Sequence, residues 1–125
     1  MKRLLLLLPF ILSMGEPVRD ERLRVEVEDK SGVRHSMKGI LCSGRAYLKL
    51  REGNVEYSVD FSSLRSLEVL SQEGQQIRVR LTFRGRSSKE YSLPSDLYCK
   101  GGSQIGEAGF YLRDVKTILF TVEER

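Results

Sequence analysis

One stretch of this chain occurs twice. Residues 55–69 align with residues 106–120 at a constant spacing of 51, without a gap. Val59 meets Phe110, Phe61 meets Leu112, Leu64 meets Val115, Leu67 meets Ile118 and Val69 meets Phe120, while Arg65-Ser66 meets Lys116-Thr117. Upstream, Leu23-Arg24-Val25-Glu26-Val27 is matched by Ile77-Arg78-Val79-Arg80-Leu81 at spacing 54, and Cys42-Ser43-Gly44 by Cys99-Lys100-Gly101 at spacing 57. Unequal spacings of this kind belong in loops, where insertions and deletions are tolerated. The repeat divides the chain into halves of residues 22–70 and 76–122. A half of about 50 residues buries too little apolar surface to be stable alone, so the two are expected to share one core.

Each half reads as strands. Leu23, Val25 and Val27 alternate with charged residues, Asp29-Lys30-Ser31-Gly32 marks a turn, and Val33 to Leu41 returns. Ile77, Val79, Leu81 and Phe83 repeat the alternation, with a turn at Gly85 and a return over Lys89 to Leu93. Tyr47 to Arg51 and Val55 to Asp60 flank Glu52-Gly53-Asn54 as a further hairpin. Its counterpart in the second half is expected to be cut to a glycine-rich loop over residues 100–105, with turn geometry accounting for the glycines. Phe61 to Leu64 and Leu112 to Val115 are expected as tight turns feeding the closing strands Arg65 to Leu70 and Lys116 to Val122. No segment sustains a helical period. The expectation is therefore an all-β single domain over residues 16–125, a sandwich or small flattened barrel of about 8–10 antiparallel strands built from two similar halves related by a pseudo-twofold. Charged residues on the outward strand faces oppose a membrane barrel, where each would cost about 2–4 kcal/mol near mid-membrane.

The amino terminus carries an export signature. Met1-Lys2-Arg3 is basic, Leu4 to Leu12 is apolar apart from Pro9, and the small residues Ser13 and Gly15 precede Glu16. Residues 1–15 are read as a signal peptide, too short an apolar run to cross a hydrocarbon core about 30 Å thick. The chain has 21 Lys and Arg against 17 Asp and Glu; removing the signal leaves 19 basic residues and a net charge of +2. Nucleic-acid modules concentrate a far stronger basic excess, so nucleic acid is not an expected partner.

Cys42 and Cys99 are the only cysteines, and in an oxidising compartment they are expected to pair as a structural disulfide. They lack the C-x-x-C spacing of a redox pair. His35 is the lone imidazole, without a G-x-S-x-G nucleophile motif or a placed acid. Glu52, Glu56 and Asp60 do not match a calcium loop, and neither metal nor cofactor is expected. Arg78, Arg80 and Arg84, with Arg86 and Lys89 beyond the turn, form the one concentrated basic feature, able to hold carboxylate or phosphate through paired hydrogen bonds. The functional expectation is a small exported non-enzymatic β domain, periplasmic or secreted, acting as a binding or assembly component of the bacterial envelope. The alternative is an anion-binding module for an envelope glycan, lipid headgroup or acidic partner, using those three arginines.

Overall fold

The computed structural model describes residues 20, 22–85 and 87–123. The signal segment 1–15 and Arg86 lie outside the described residues. Ten antiparallel strands make up nearly all of the rest: β1 Leu23–Asp29, β2 Arg34–Cys42, β3 Tyr47–Glu52, β4 Val55–Asp60, β5 Leu64–Glu73, β6 Gln76–Phe83, β7 Ser88–Pro94, β8 Tyr98–Ser103, β9 Gly106–Tyr111 and β10 Val115–Val122. The two segments expected as tight turns are single 3-10 turns, Phe61–Ser63 and Leu112–Asp114, each burying its first residue. The fold is all-β, as the alternation required. It is not a closed barrel: eight strands form one sheet in the order β7-β6-β5-β10-β1-β2-β8-β9, and β3-β4 forms a second.

Strand pairing does not respect the sequence halves. The hairpins β1-β2 and β6-β7 form within their own halves, but β1 pairs along its length with β10, and β6 pairs along its length with β5. The closing strands are thus exchanged. Chain order explains the choice, since β5 runs directly into β6 through a turn at Gly74 (φ 65°), leaving β10 to cover the free side of β1. The segment β7-β6-β5-β10-β1-β2 keeps its form when every strand is swapped for its counterpart in the other half. Matching backbone bonds accompany this order: Lys30 N–H donates to Asp114 O at 3.0 Å, and Arg84 N–H donates to Ser63 O at 3.1 Å.

Alternation turns one face of every central strand inward. Val25, Val27, Val79, Leu81, Leu64, Leu67, Val115 and Ile118 are all at most 2% exposed, and they belong to one apolar cluster drawn from both halves. Phe61 and Phe120 stack within it, ring centres 5.9 Å apart. At about 25 cal/mol per Å² of apolar surface removed from water, this shared interior is the main stabilising contribution, and neither half owns it.

The residues expected as a glycine-rich loop are instead strand β8 and the start of the β8-β9 hairpin. Only Gly106 among Gly101, Gly102, Gly106 and Gly109 has a positive φ, so turn geometry is not the reason for the other three. Close packing explains two of them. A Cβ on Gly101 would lie 2.8 Å from Gly39 O and from Met37 Sδ on β2, and one on Gly109 would run into the Tyr98 ring. Gly39 (φ 69°) sits where the β2-β8 register slips between Lys38 and Leu41, a bulge that lets β2 pair with β1 over its first half and with β8 over its second. Extending the 51-residue match upstream places Tyr98-Cys99-Lys100-Gly101-Gly102 opposite Tyr47-Leu48-Lys49-Leu50-Arg51. In β3 the bulky Leu50 and Arg51 stand where β8 has glycine, and β3-β4 stays a separate sheet beside β7.

This corrects the reading of the cysteines as counterparts. Cys42 lies on β2 and Cys99 on β8, whose counterparts are β7 and β3, and the residue matched to Cys99 is Leu48. They meet because they are opposite one another in the β2-β8 ladder, with sulfur atoms 2.09 Å apart and both side chains buried.

Replacing Cys42 and Cys99 by alanine removes a cross-link over 57 residues and should lower unfolding stability by about 4 kcal/mol on the chain-entropy estimate, read from urea melts of the oxidised protein and the variant. Gly101→Leu, which copies Leu50 of the matching strand, should cost about 1–3 kcal/mol through overpacking against Met37. Unchanged stability of Gly101→Leu would contradict the assigned role of Gly101.

Candidate functional site

The three arginines singled out by sequence are not brought together. Arg78 and Arg80 project from the outer face of β6, and each already faces carboxylates: Arg78 Nε is 2.9 Å from Glu90, and Arg80 lies 2.9 Å from Glu68 and 3.6 Å from Glu90. Cross-strand register causes this, because Glu68 on β5 and Glu90 on β7 stand directly opposite Arg80. The guanidinium of Arg78 holds the Glu90 carboxyl below its ordinary range, and Glu90 in turn raises Arg78. Arg84 lies past the end of β6 and turns back, donating to Ser62 O at 2.8 Å and Phe120 O at 2.9 Å, which ties the 3-10 turn to β10. Lys89 bonds Glu52 on β3 at 2.6 Å, bridging the two sheets.

His35 has a different setting. It stands at the start of β2, and its Nε2 lies 3.1 Å from Asp29 Oδ2 at the end of β1. Asp29 also accepts hydrogen bonds from the amides of Ser31 and Val33, the turn its position in the hairpin creates. The His35 bond first, and those two amides with it, holds the Asp29 carboxyl below the ordinary aspartate value. The sequence offered no acid for this imidazole because the partner is six residues away across a turn.

This pair forms one wall of a groove of about 670 Å³ between the β1-β2 turn and strand β9. Its floor is apolar, with Val27, Met37 and Val115 buried and Ala108 and Phe110 packed against the core. Tyr98 and Tyr111 close one end in an edge-to-face pair at 4.9 Å, with the Arg113 guanidinium 4.3 Å from the Tyr111 ring centre. Ile105 forms the lip in the β8-β9 turn and is 99% exposed. A second cavity of about 540 Å³ near Arg24, Glu26 and Lys38 has a charged rim, and Arg24 there is paired with Glu123 at 2.8 Å.

At the matching place the counterpart positions carry larger side chains, beside a smaller pocket of about 220 Å³. Tyr57 occupies the position of Ala108, Tyr91 that of Met37, and the Lys89–Glu52 bridge stands where the groove has His35 and Ser103. The groove is therefore the product of small residues in the second copy, a signal present in the 51-residue alignment once it is carried up to Tyr47 and Tyr98. The Ser103 hydroxyl donates to Gly106 O at 2.6 Å within its own turn, and among the described residues no hydroxyl or thiol bonds His35. No group of three or more His, Cys, Asp or Glu side chains able to hold a metal occurs among the described residues.

The molecule is thus an all-β protein with a groove of about 670 Å³ beside strand β9 and a smaller pocket at the matching place. Residues 19–123 match the model of a family described as "Uncharacterised protein", and the chain belongs to that family. An "Uncharacterized protein" of Aquifex aeolicus (strain VF5) is 36% identical over 120 residues, covering 93% of this chain and 91% of the relative. No solved structure matches the chain.

Because its folded value is depressed, Asp29 stabilises the fold above the unfolded aspartate value near 3.9, and this contribution disappears as pH falls through the lower folded value. In an NMR titration of the carboxyl carbons, Asp29 should titrate below that reference, and His35→Ala should move its midpoint upward. An unmoved midpoint would mean the imidazole does not set it.

Proposed function

We propose that this protein is a small exported, non-enzymatic component of the bacterial envelope that works by binding or assembly. The observation that carries the reading is the contrast between the two matching places: a pocket of about 220 Å³ edged by the Lys89–Glu52 bridge at one, and a groove of about 670 Å³ with an apolar floor at the other. A groove of this volume with a few polar groups at its walls is the usual form of a binding site. The disulfide supports an oxidising compartment. The basic and apolar start of the chain supports the route there. No helix among the described residues is long and apolar enough to cross a membrane, so envelope association on this reading runs through a bound partner rather than a helical span. The anion-binding alternative would require Arg78 and Arg80 to leave Glu68 and Glu90.

Fractionation of native cells under an alkylating trap tests this. The protein should appear in the periplasmic or secreted fraction, shortened at its amino terminus, with both thiols protected until reduction. A full-length cytoplasmic protein with alkylated Cys42 and Cys99 would overturn the reading.

A further inference from the structure

We infer that the groove receives an extended, basic segment of a partner polypeptide, which adds as a further strand along β9. The inference deepens the binding role proposed above and rests on it.

Three observations converge on this occupant. First, β9 ends the eight-stranded sheet, so among the described residues its outer edge has no strand partner for its backbone N–H and C=O groups, the template for strand addition. Second, the groove follows that edge from the Ile105 lip to Tyr111, and its floor is apolar. An added strand would point every second side chain at that floor and the others at the rim, so the occupant needs alternating apolar residues. Third, the rim is acidic on balance. Asp29, Glu107 and Asp114 line it, and the cations beside it are Lys100, paired with Glu107 at 3.7 Å, and Arg113 over the Tyr111 ring at one end. Glu107 is engaged by Lys100, and Asp29 by His35 at 3.1 Å and by the amides of Ser31 and Val33, so the attraction rests mainly on Asp114, with Asp29 beside it. Complementarity therefore calls for lysine or arginine at the rim positions of the partner.

The other free edge shows what is special about this one. Strand β4 also ends a sheet, but it carries the exposed Val55 and Tyr57 where β9 has Gly106 and Ala108. Ala108 is the position that leaves room over the floor, since Gly109 is already covered by Tyr98. A glycine or alanine where a second backbone must come close is the local signature of such a contact. Ile105 lies wholly outside the core and supplies apolar surface for the occupant to cover.

The test uses the signal-free protein with its disulfide intact and a capped synthetic peptide of about eight residues alternating lysine and valine, long enough to span a strand of ordinary length. The same peptide with glutamate for lysine is the control. The lysine peptide should bind in a salt-sensitive manner, shift the amide resonances of β9, the β1-β2 turn and the Leu112–Asp114 turn, and slow hydrogen exchange along β9. The glutamate peptide should not. Ala108→Tyr, which installs the residue of the matching strand, should weaken binding by about tenfold or more by filling the groove. Ile105→Ser leaves the core untouched and should weaken it about fivefold. Asp29→Asn with Asp114→Asn should remove most of the salt dependence. Equal affinity for the two peptides, no binding of either, or shifts centred on β4 would each overturn the inference. Should the peptide fail while fractionation places an oxidised protein in the envelope, the proposed function stands and this occupant falls. A lysine peptide that binds a protein found reduced in the cytoplasm would leave the strand-addition site standing and remove the envelope role.

Discussion

The exchange of closing strands is the constraint from which the other features follow. With β5 spent on β6 and β10 on β1, neither repeat can complete a sheet from its own residues. Folding the first half requires residues near the carboxyl end, because Leu23 at the start of β1 pairs with Val122 at the end of β10. Such a contact spans nearly the whole chain and carries a large loop-closure cost before it is rewarded, so cooperativity between the halves is built into the topology. The single apolar cluster is the energetic expression of the same fact.

The two ends of this arrangement are finished differently. At one end β2 bulges at Gly39, approaches β8 closely over Gly101 and is cross-linked through Cys42 and Cys99. At the other, Leu50 and Arg51 occupy the positions of those glycines, β3-β4 stays apart, and Lys89 bridges to Glu52 instead. Close backbone approach and side-chain filling are competing uses of the same positions. The end that took the first option gained a continuous sheet and carries less side-chain bulk over its interior face, where the groove lies.

Much of this was legible in the residues. The alternation of Leu23, Val25 and Val27, and of Ile77, Val79 and Leu81, placed two hairpins and their inward faces correctly, because period two is a local property. The turns at Phe61 and Leu112 were legible for the same reason. The β8-β9 hairpin was not. Gly101, Gly102 and Gly109 lower strand propensity and read as a loop, and only contacts with Met37 and Tyr98 supply the reason for Gly101 and Gly109. The arginines on β6 were legible as a concentrated basic feature, but which carboxylates they face was set by register, which puts Glu68 and Glu90 against Arg78 and Arg80.

The sequence alone determined the strand class of the protein and the inward positions, since each depends on neighbours a few residues apart. Tertiary structure decided which strand pairs with which, why two cysteines at unequal positions meet, how His35 finds Asp29, and where the groove opens. Those are questions of approach between backbones far apart in the chain, settled by volume and register that no single segment encodes.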